Sequence, residues 1–191
     1  MNKNINFIEI LKLETLIKNY LKLILNKKKK KLKMSENYKE YLNGKYYGEL
    51  KNGEPNGKGA IFWNNGGKYI GEWIEGKRTG KGTIIFSNGE IYNGEVVDGK
   101  REGKGIMYYL NDNLQYSYYG EWRNDERDGY GEWDYRDGRK CKGDWKKGNM
   151  HGIVEEFNPV TQEWVKSFYD NDKKVIHKVD NDCCDNNDIK E

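Results

Sequence analysis

The sequence predicts an all-β chain, an elongated twisted antiparallel sheet of tandem β-hairpins. Three observations carry that prediction. A Tyr-x-Gly-x-Trp pattern returns every 23 residues, further glycines recur at fixed places in each copy, and much of the apolar bulk lies in rings, with 15 Tyr and 6 Trp. With 34% charged residues, a mean hydropathy of -1.09 and 23 glycines, the composition is not that of an ordinary globular core. The 14% aromatic share argues for order all the same, since disordered chains are poor in rings.

The repeat can be followed from one marker position. Tyr46, Tyr69, Tyr92, Tyr118, Cys141 and Trp164 are separated by 23, 23, 26, 23 and 23 residues, and the long step points to one lengthened loop near Asn111 to Ser117. Two residues after the first five markers stand Gly48, Gly71, Gly94, Gly120 and Gly143; four residues after them stand Leu50, Trp73, Val96, Trp122 and Trp145. Between these runs an acidic column of Glu49, Glu72, Glu95, Glu121 and Asp144. Gly57, Gly80, Gly103, Gly129 and Gly152 follow, each of the first four with another glycine two residues on. The second strand then carries Ile61 and Trp63, Ile84 and Phe86, Met107 and Tyr109, or Trp133 and Tyr135.

Period-two alternation puts Tyr, Gly and Trp on one face of a strand and the acidic residue on the other, so an aromatic face and a charged face are expected. A glycine between two rings leaves room for a ring from a neighbouring strand or repeat to lie across the backbone. The Gly-x-x-x-Gly stretch after the Trp supplies one turn, and Asn65-Gly66, Asn88-Gly89 and Asp137-Gly138 mark the next. A hairpin of this kind cannot bury its aromatic face alone and must stack on the next copy. Five repeats are expected at 46–68, 69–91, 92–117, 118–140 and 141–163, imperfect at both ends, where Leu50 replaces Trp and Cys141 replaces Tyr. A degenerate half repeat or cap at 164–176 follows, in which Trp164 and Phe168 keep the register.

Units such as Tyr69-Ile70-Gly71-Glu72-Trp73 followed by Gly76 and Gly80-Lys81-Gly82 resemble MORN repeats, over residues 46 to 163. Of the His that the family usually has before its Gly-x-Gly pair only His151 is kept, with Asn56, Thr79, Glu102 and Asp128 in the other copies. The resemblance implies a binding or scaffolding module. MORN proteins occur in cilia and flagella, at the cortical cytoskeleton and at membrane contacts, and beside catalytic domains of lipid kinases and lysine methyltransferases, none of which is expected in this chain.

Ahead of the repeats, residues 1–33 form a leader and 34–45 a linker. Ile10, Leu13, Ile17, Tyr20 and Ile24 are spaced by three and four, which predicts an amphipathic helix, and the lysines Lys27, Lys28, Lys29, Lys30, Lys31 and Lys33 follow it. Glu9, Lys12, Glu14, Lys18 and Lys22 interrupt the apolar run before it reaches the roughly 18 residues of a membrane span. Three readings stay open: attachment to an anionic membrane through the lysines, at about 1 kcal/mol for each basic residue near the surface; pairing with a partner helix; and a solvated leader. The ten lysines and two glutamates of residues 1–33 contribute +8 to a net charge of +3, which leaves the other 158 residues at -5. An acidic repeat region speaks against a nucleic-acid-binding domain. Residues 177–191 read as a disordered acidic tail. Three cysteines, two of them adjacent in that tail, favour a reducing compartment, and a cytoplasmic protein, associated with cytoskeleton, cilium or membrane, is expected.

No catalytic constellation emerges, and neither an enzyme nor a cofactor is expected. Gly76-Lys77-Arg78-Thr79-Gly80-Lys81-Gly82 has three residues between its first two glycines and a glycine after Lys81, which does not fit a phosphate-binding P-loop, so no nucleotide is expected. His177, Cys183 and Cys184 do not supply a tetrahedral metal site. The acidic column is expected to meet Lys58, Lys81 and Lys104 across the hairpins. What remains is a protein partner, a helix or peptide, in an aromatic-lined groove with Tyr69, Trp73, Tyr92, Tyr118, Trp122, Trp133 and Trp145 as its candidate residues.

Overall fold

The computed structural model describes residues 38–111 and 114–175. These hold thirteen strands: β1 (Tyr38–Tyr41), β2 (Gly44–Lys51), β3 (Glu54–Trp63), β4 (Lys68–Ile74), β5 (Lys77–Ile85), β6 (Ile91–Val97), β7 (Lys100–Asn111), β8 (Leu114–Arg123), β9 (Glu126–Tyr135), β10 (Lys140–Lys146), β11 (Asn149–Asn158), β12 (Glu163–Asp170) and β13 (Lys173–Val175). They form one open sheet in which spatial order equals chain order. No helix occurs among the described residues. The expected N-terminal helix, with Lys27 to Lys31 and Lys33, and the acidic tail lie outside them. The expected linker does not reach residue 45, since β1 and the first residues of β2 are already strand.

Each repeat is a hairpin, closed by two residues of positive φ. Glu75 and Gly76 have φ of 48° and 79°, Asp98 and Gly99 of 50° and 85°, and Asn124 and Asp125 of 50° and 71°. Two consecutive positive-φ residues make the tight turn whose twist matches that of the flanking strands. The turn glycine therefore sits three residues after Trp73, and Gly80 has a different task. Gly71 pairs with Gly82 but Glu72 pairs with Thr79, so Gly80 and Lys81 bulge out of β5 with Gly80 at φ 65°. The same shift recurs in the other four hairpins.

Between repeats the chain turns at Asn65-Gly66, Asn88-Gly89 and Asp137-Gly138. The side-chain oxygen of Asn65 accepts from the Gly67 N–H at 3.0 Å, and Asn88 and Asp137 make the corresponding bonds at 3.1 Å. The three extra residues of repeat 3 prolong the ladder and do not lengthen a loop. Tyr109 pairs with Tyr116 and Asn111 with Leu114, which leaves residues 112 and 113 between the strands.

The core is a row of rings on one face of the sheet. Tyr46, Tyr69, Tyr92 and Tyr118 are 0% exposed. A ring from another strand was expected over the glycines, but each tyrosine lies across the glycine pair of its own hairpin. A Cβ on Gly71 or on Gly94 would stand 2.5 Å from the Tyr69 or Tyr92 hydroxyl. That hydroxyl donates to the carbonyl oxygen three residues on, Tyr92 to Glu95 at 2.8 Å and Tyr69 to Glu72 at 3.0 Å. The next layer is edge to face: Trp73 meets Tyr46 at 5.1 Å and Tyr69 at 5.3 Å, and Trp122 meets Tyr92 at 5.5 Å and Tyr118 at 5.3 Å. Trp73 and Trp122 also donate through Nε1 to Gly59 and Gly105 of the preceding repeats, both at 3.2 Å.

Repeat 5 lacks both the tyrosine and the second glycine. Cys141 takes the first place, and Val154, 1% exposed, faces Gly143 in the second. The half repeat that follows is one residue out of the expected register. Residues 158–163 separate the paired Phe157 and Trp164, one more than residues 63–67 between Phe62 and Lys68. Tyr169 therefore occupies the Trp place opposite Gly152 and is buried, while Trp164 and Phe168 turn to the other face, 46% and 43% exposed. Glu156, where other copies have an aliphatic or aromatic residue, accepts from Tyr169 at 2.8 Å and from Lys174 at 2.7 Å and gives this end of the ring row a polar closure.

The opposite face is mixed, not purely charged. Ile91 and Tyr108 are buried on it, and Tyr47 meets Phe62 edge to face at 5.9 Å.

Candidate functional site

The surface available to a partner on the aromatic face is set by which rings stay accessible. Of the seven candidates, Tyr69, Tyr92 and Tyr118 expose nothing and cannot touch a partner directly, because glycine lets each ring lie flat on its own backbone beneath the tryptophans. Trp73, Trp122 and Trp145 keep 4–6% exposure. Trp133 is half-buried and belongs to a stack of near-parallel rings with Tyr109 at 5.4 Å, Tyr116 at 5.4 Å and Trp145 at 5.5 Å. Tyr109 and Tyr116 themselves lie 4.8 Å apart. This stack exists because the insertion of repeat 3 prolongs the ladder and sets one more ring, Tyr116, opposite Tyr109. The indole N–H groups of Trp133 and Trp145 find no acceptor among the described residues.

The accessible aromatic column is the one on the second strands: Trp63, Phe86, Tyr109 and Tyr135 all pack half-buried against the core. An open cleft of about 330 Å³ lies along it, with Phe86, Met107, Tyr109 and Trp122 as apolar wall and Glu90, Arg101, Asp125, Glu126 and Arg127 around them. Trp122 is the only one of the seven candidates that lines it.

A column of arginines runs beside these rings. Arg78, Arg101 and Arg127 each pair across the hairpin with the residue in the Trp place: Trp73, Val96 and Trp122. The Arg101 guanidinium sits 4.2 Å from the centre of Trp122, and that of Arg127 4.5 Å from both Trp133 and Trp145. Arg78 has Val96, not a tryptophan, in the following repeat, and its guanidinium lies 5.1 Å from the centre of Trp63 and 5.6 Å from that of Tyr69. Burial lowers the pKa of Arg78, and burial pushes the Tyr69 hydroxyl up to about 12. These arginines recur nine residues after Tyr69, Tyr92 and Tyr118, a signal the sequence offers and the ring count alone overlooks.

The acceptors of the three arginines differ. Each turn donates its second N–H back to the arginine carbonyl of the preceding repeat, Gly99 to Arg78 at 2.9 Å and Asp125 to Arg101 at 3.1 Å. The Asp125 carboxylate also takes the Arg101 backbone N–H at 2.9 Å and its Nε at 3.1 Å, and its carbonyl takes a further guanidinium N–H at 2.6 Å. Arg127 donates to the Gly148 carbonyl. Gly99 offers Arg78 no carboxylate, and no hydrogen bond or ion pair holds the Arg78 side chain among the described residues.

The acidic column meets backbone, not lysine ammonium groups. Glu49 accepts from the Lys58 backbone N–H at 3.0 Å, and Glu49, Glu95 and Glu121 lie against Gly57, Gly103 and Gly129 of the bulges. Lys58, Lys81 and Lys104 stand in register with Glu72, Glu95 and Glu121 of the following repeat, without an ion pair among the described residues. No group of His, Cys, Asp and Glu among the described residues is arranged to hold a metal ion.

Compared with known protein families, the chain matches the MORN repeat at residues 46–68, 69–91, 92–113, 118–138 and 141–153. A search of curated proteins found no match.

Proposed function

The chain belongs to the MORN-repeat family, and from that premise we propose that it is a non-catalytic scaffold whose aromatic face holds a helix or peptide of a protein partner, in the cytoplasm at a cilium or the cortical cytoskeleton. The observation that carries this reading is the cleft of about 330 Å³ beside Tyr109 and Trp122. Rings held from below by a tyrosine and glycine layer are rigid, so a partner loses little conformational freedom of the receptor on docking. Aromatic walls bordered by arginine have the composition of interaction hot spots. Tyr109→Ala combined with Phe86→Ala removes two walls of the cleft without touching the tyrosine layer. Peptides selected from a displayed library on the intact protein should lose at least about tenfold in affinity for this variant, the scale of a hot-spot truncation. Equal affinity would end the groove reading.

The alternative is a peripheral membrane adaptor, supported by the six lysines Lys27 to Lys31 and Lys33 behind an amphipathic segment. Co-sedimentation of the full chain and of residues 34–191 with anionic vesicles at two salt concentrations separates the two. Salt-sensitive pelleting of the full chain alone would support the adaptor reading.

A further inference from the structure

The three arginines of the aromatic face occupy one column but are not equally satisfied. Arg101 has a carboxylate, from Asp125, and the face of Trp122. Arg127 has a carbonyl, from Gly148, and two indoles. Arg78 has the more distant ring of Trp63, feels the charge of Asp125 without bonding to it, and has no hydrogen-bond acceptor among the described residues, because Gly99 stands where the Arg101 site has Asp125 and Val96 stands where it has Trp122. A half-buried guanidinium without a protein acceptor keeps its donors free for a partner, and a carboxylate is its natural complement, since charge-assisted bonds to Arg are the stronger kind.

We infer that Arg78 receives a carboxylate from the partner helix, on a helix that also places an apolar side chain in the cleft beside Phe86, Tyr109 and Trp122. This rests on the proposal that the aromatic face is the partner site. The spacing favours a helix over an extended peptide. Equivalent places in successive repeats are two strands apart, about 9.6 Å at a strand separation of about 4.8 Å. One heptad of helix advances about 10.5 Å and returns to the same face. An extended chain returns to the same face only at about 6.6 or 13 Å, at about 3.3 Å per residue. A single carboxylate also suits the charge balance better than the phosphates of a lipid headgroup: Glu90, Asp125 and Glu126 offset Arg101, Arg127 and Lys147 around the cleft, which leaves no excess of positive charge for a multiply charged anion.

The experiment uses the full chain and a phage library of alanine-rich helical 21-residue peptides randomised on one face. Enriched peptides should carry Asp or Glu seven residues from a bulky apolar residue. Arg78→Gln should weaken them about tenfold or more, and Arg78→Glu should restore binding to a peptide whose acid is changed to Lys. Arg78→Met, which keeps the stem against Trp63, checks that the loss is of charge and not of folding, and near-ultraviolet circular dichroism monitors the ring row of each variant. Peptides that enrich, depend on Phe86 and Tyr109, and ignore Arg78 would overturn this inference and leave the groove reading standing. No enrichment on the intact protein over the Phe86→Ala, Tyr109→Ala variant would overturn both. Arg78-dependent binding of vesicles containing phosphoinositides, without enriched acidic peptides, would overturn the helix in favour of a headgroup.

Discussion

In repeat 3 the Tyr92 ring lies across Gly94 and Gly105, two facing residues without side chains; in repeat 5 the same three places hold Cys141, Gly143 and Val154. The first arrangement puts the volume in the strand that opens the hairpin, the second shares it with the strand that closes it. Both bury their occupants, Tyr92 at 0%, Cys141 at 5% and Val154 at 1%. The unit therefore conserves total volume over a residue pair, and the tyrosine signature is one of two ways to fill it.

The comparison breaks most sharply at the tyrosine itself. Tyr92→Ala should cost about 3–5 kcal/mol in urea denaturation, the range for truncating a large buried ring. Next in size, Gly105→Val places a Cβ within 2.5 Å of Tyr92 Cζ and should cost about 2–3 kcal/mol alone. Joined with Tyr92→Cys it recreates the pair of repeat 5, so the double variant should be about 1–3 kcal/mol better than the sum of the singles. Additive losses would show that the two repeats do not solve one packing problem.

Alkali should separate the two arrangements. Burial raises Tyr69 from 10.0 to about 12 and Cys141 from 9.0 to about 11. Each group is neutral when protonated and binds its proton more tightly in the folded state. Its contribution is complete below the unfolded pKa and is lost as pH rises through the folded one. Denaturation midpoints should begin to fall near pH 9, and Cys141→Ala should delay that onset to about pH 10, where the tyrosines take over. The smallest effect belongs to the hydroxyl: Tyr92→Phe gives up bonds to Glu95 at 2.8 Å and Glu102 at 3.4 Å and should cost about 1 kcal/mol.

The period of the rings and glycines is visible in the residues because each copy repeats the same side-chain chemistry at the same spacing, and the hairpins follow from it. What stayed hidden depends on backbone. The carboxylates of the acidic column look like partners for lysines, yet Glu49 accepts from a peptide N–H that a glycine bulge exposes. The turn at Glu75-Gly76 and the bulge at Gly80 read as one glycine motif because both need positive φ. Trp164 and Phe168 keep the spacing of the markers, but one extra residue before β12 flips alternate side chains to the other face and brings Tyr169 inward. The cleft was half legible. Its rings are in the sequence, but the burial of Tyr69, Tyr92 and Tyr118 beneath their neighbours follows from rings lying along the strand, which composition does not reveal.

The strict chain order of the thirteen strands bears on how the protein is made. Every strand bonds only to the strands before and after it in sequence, so each loop to be closed is short and the entropy of closing it small. The order of strands thus lets folding start at any hairpin and spread along the sheet, and growth can keep step with synthesis, one copy at a time, from the N-terminal side.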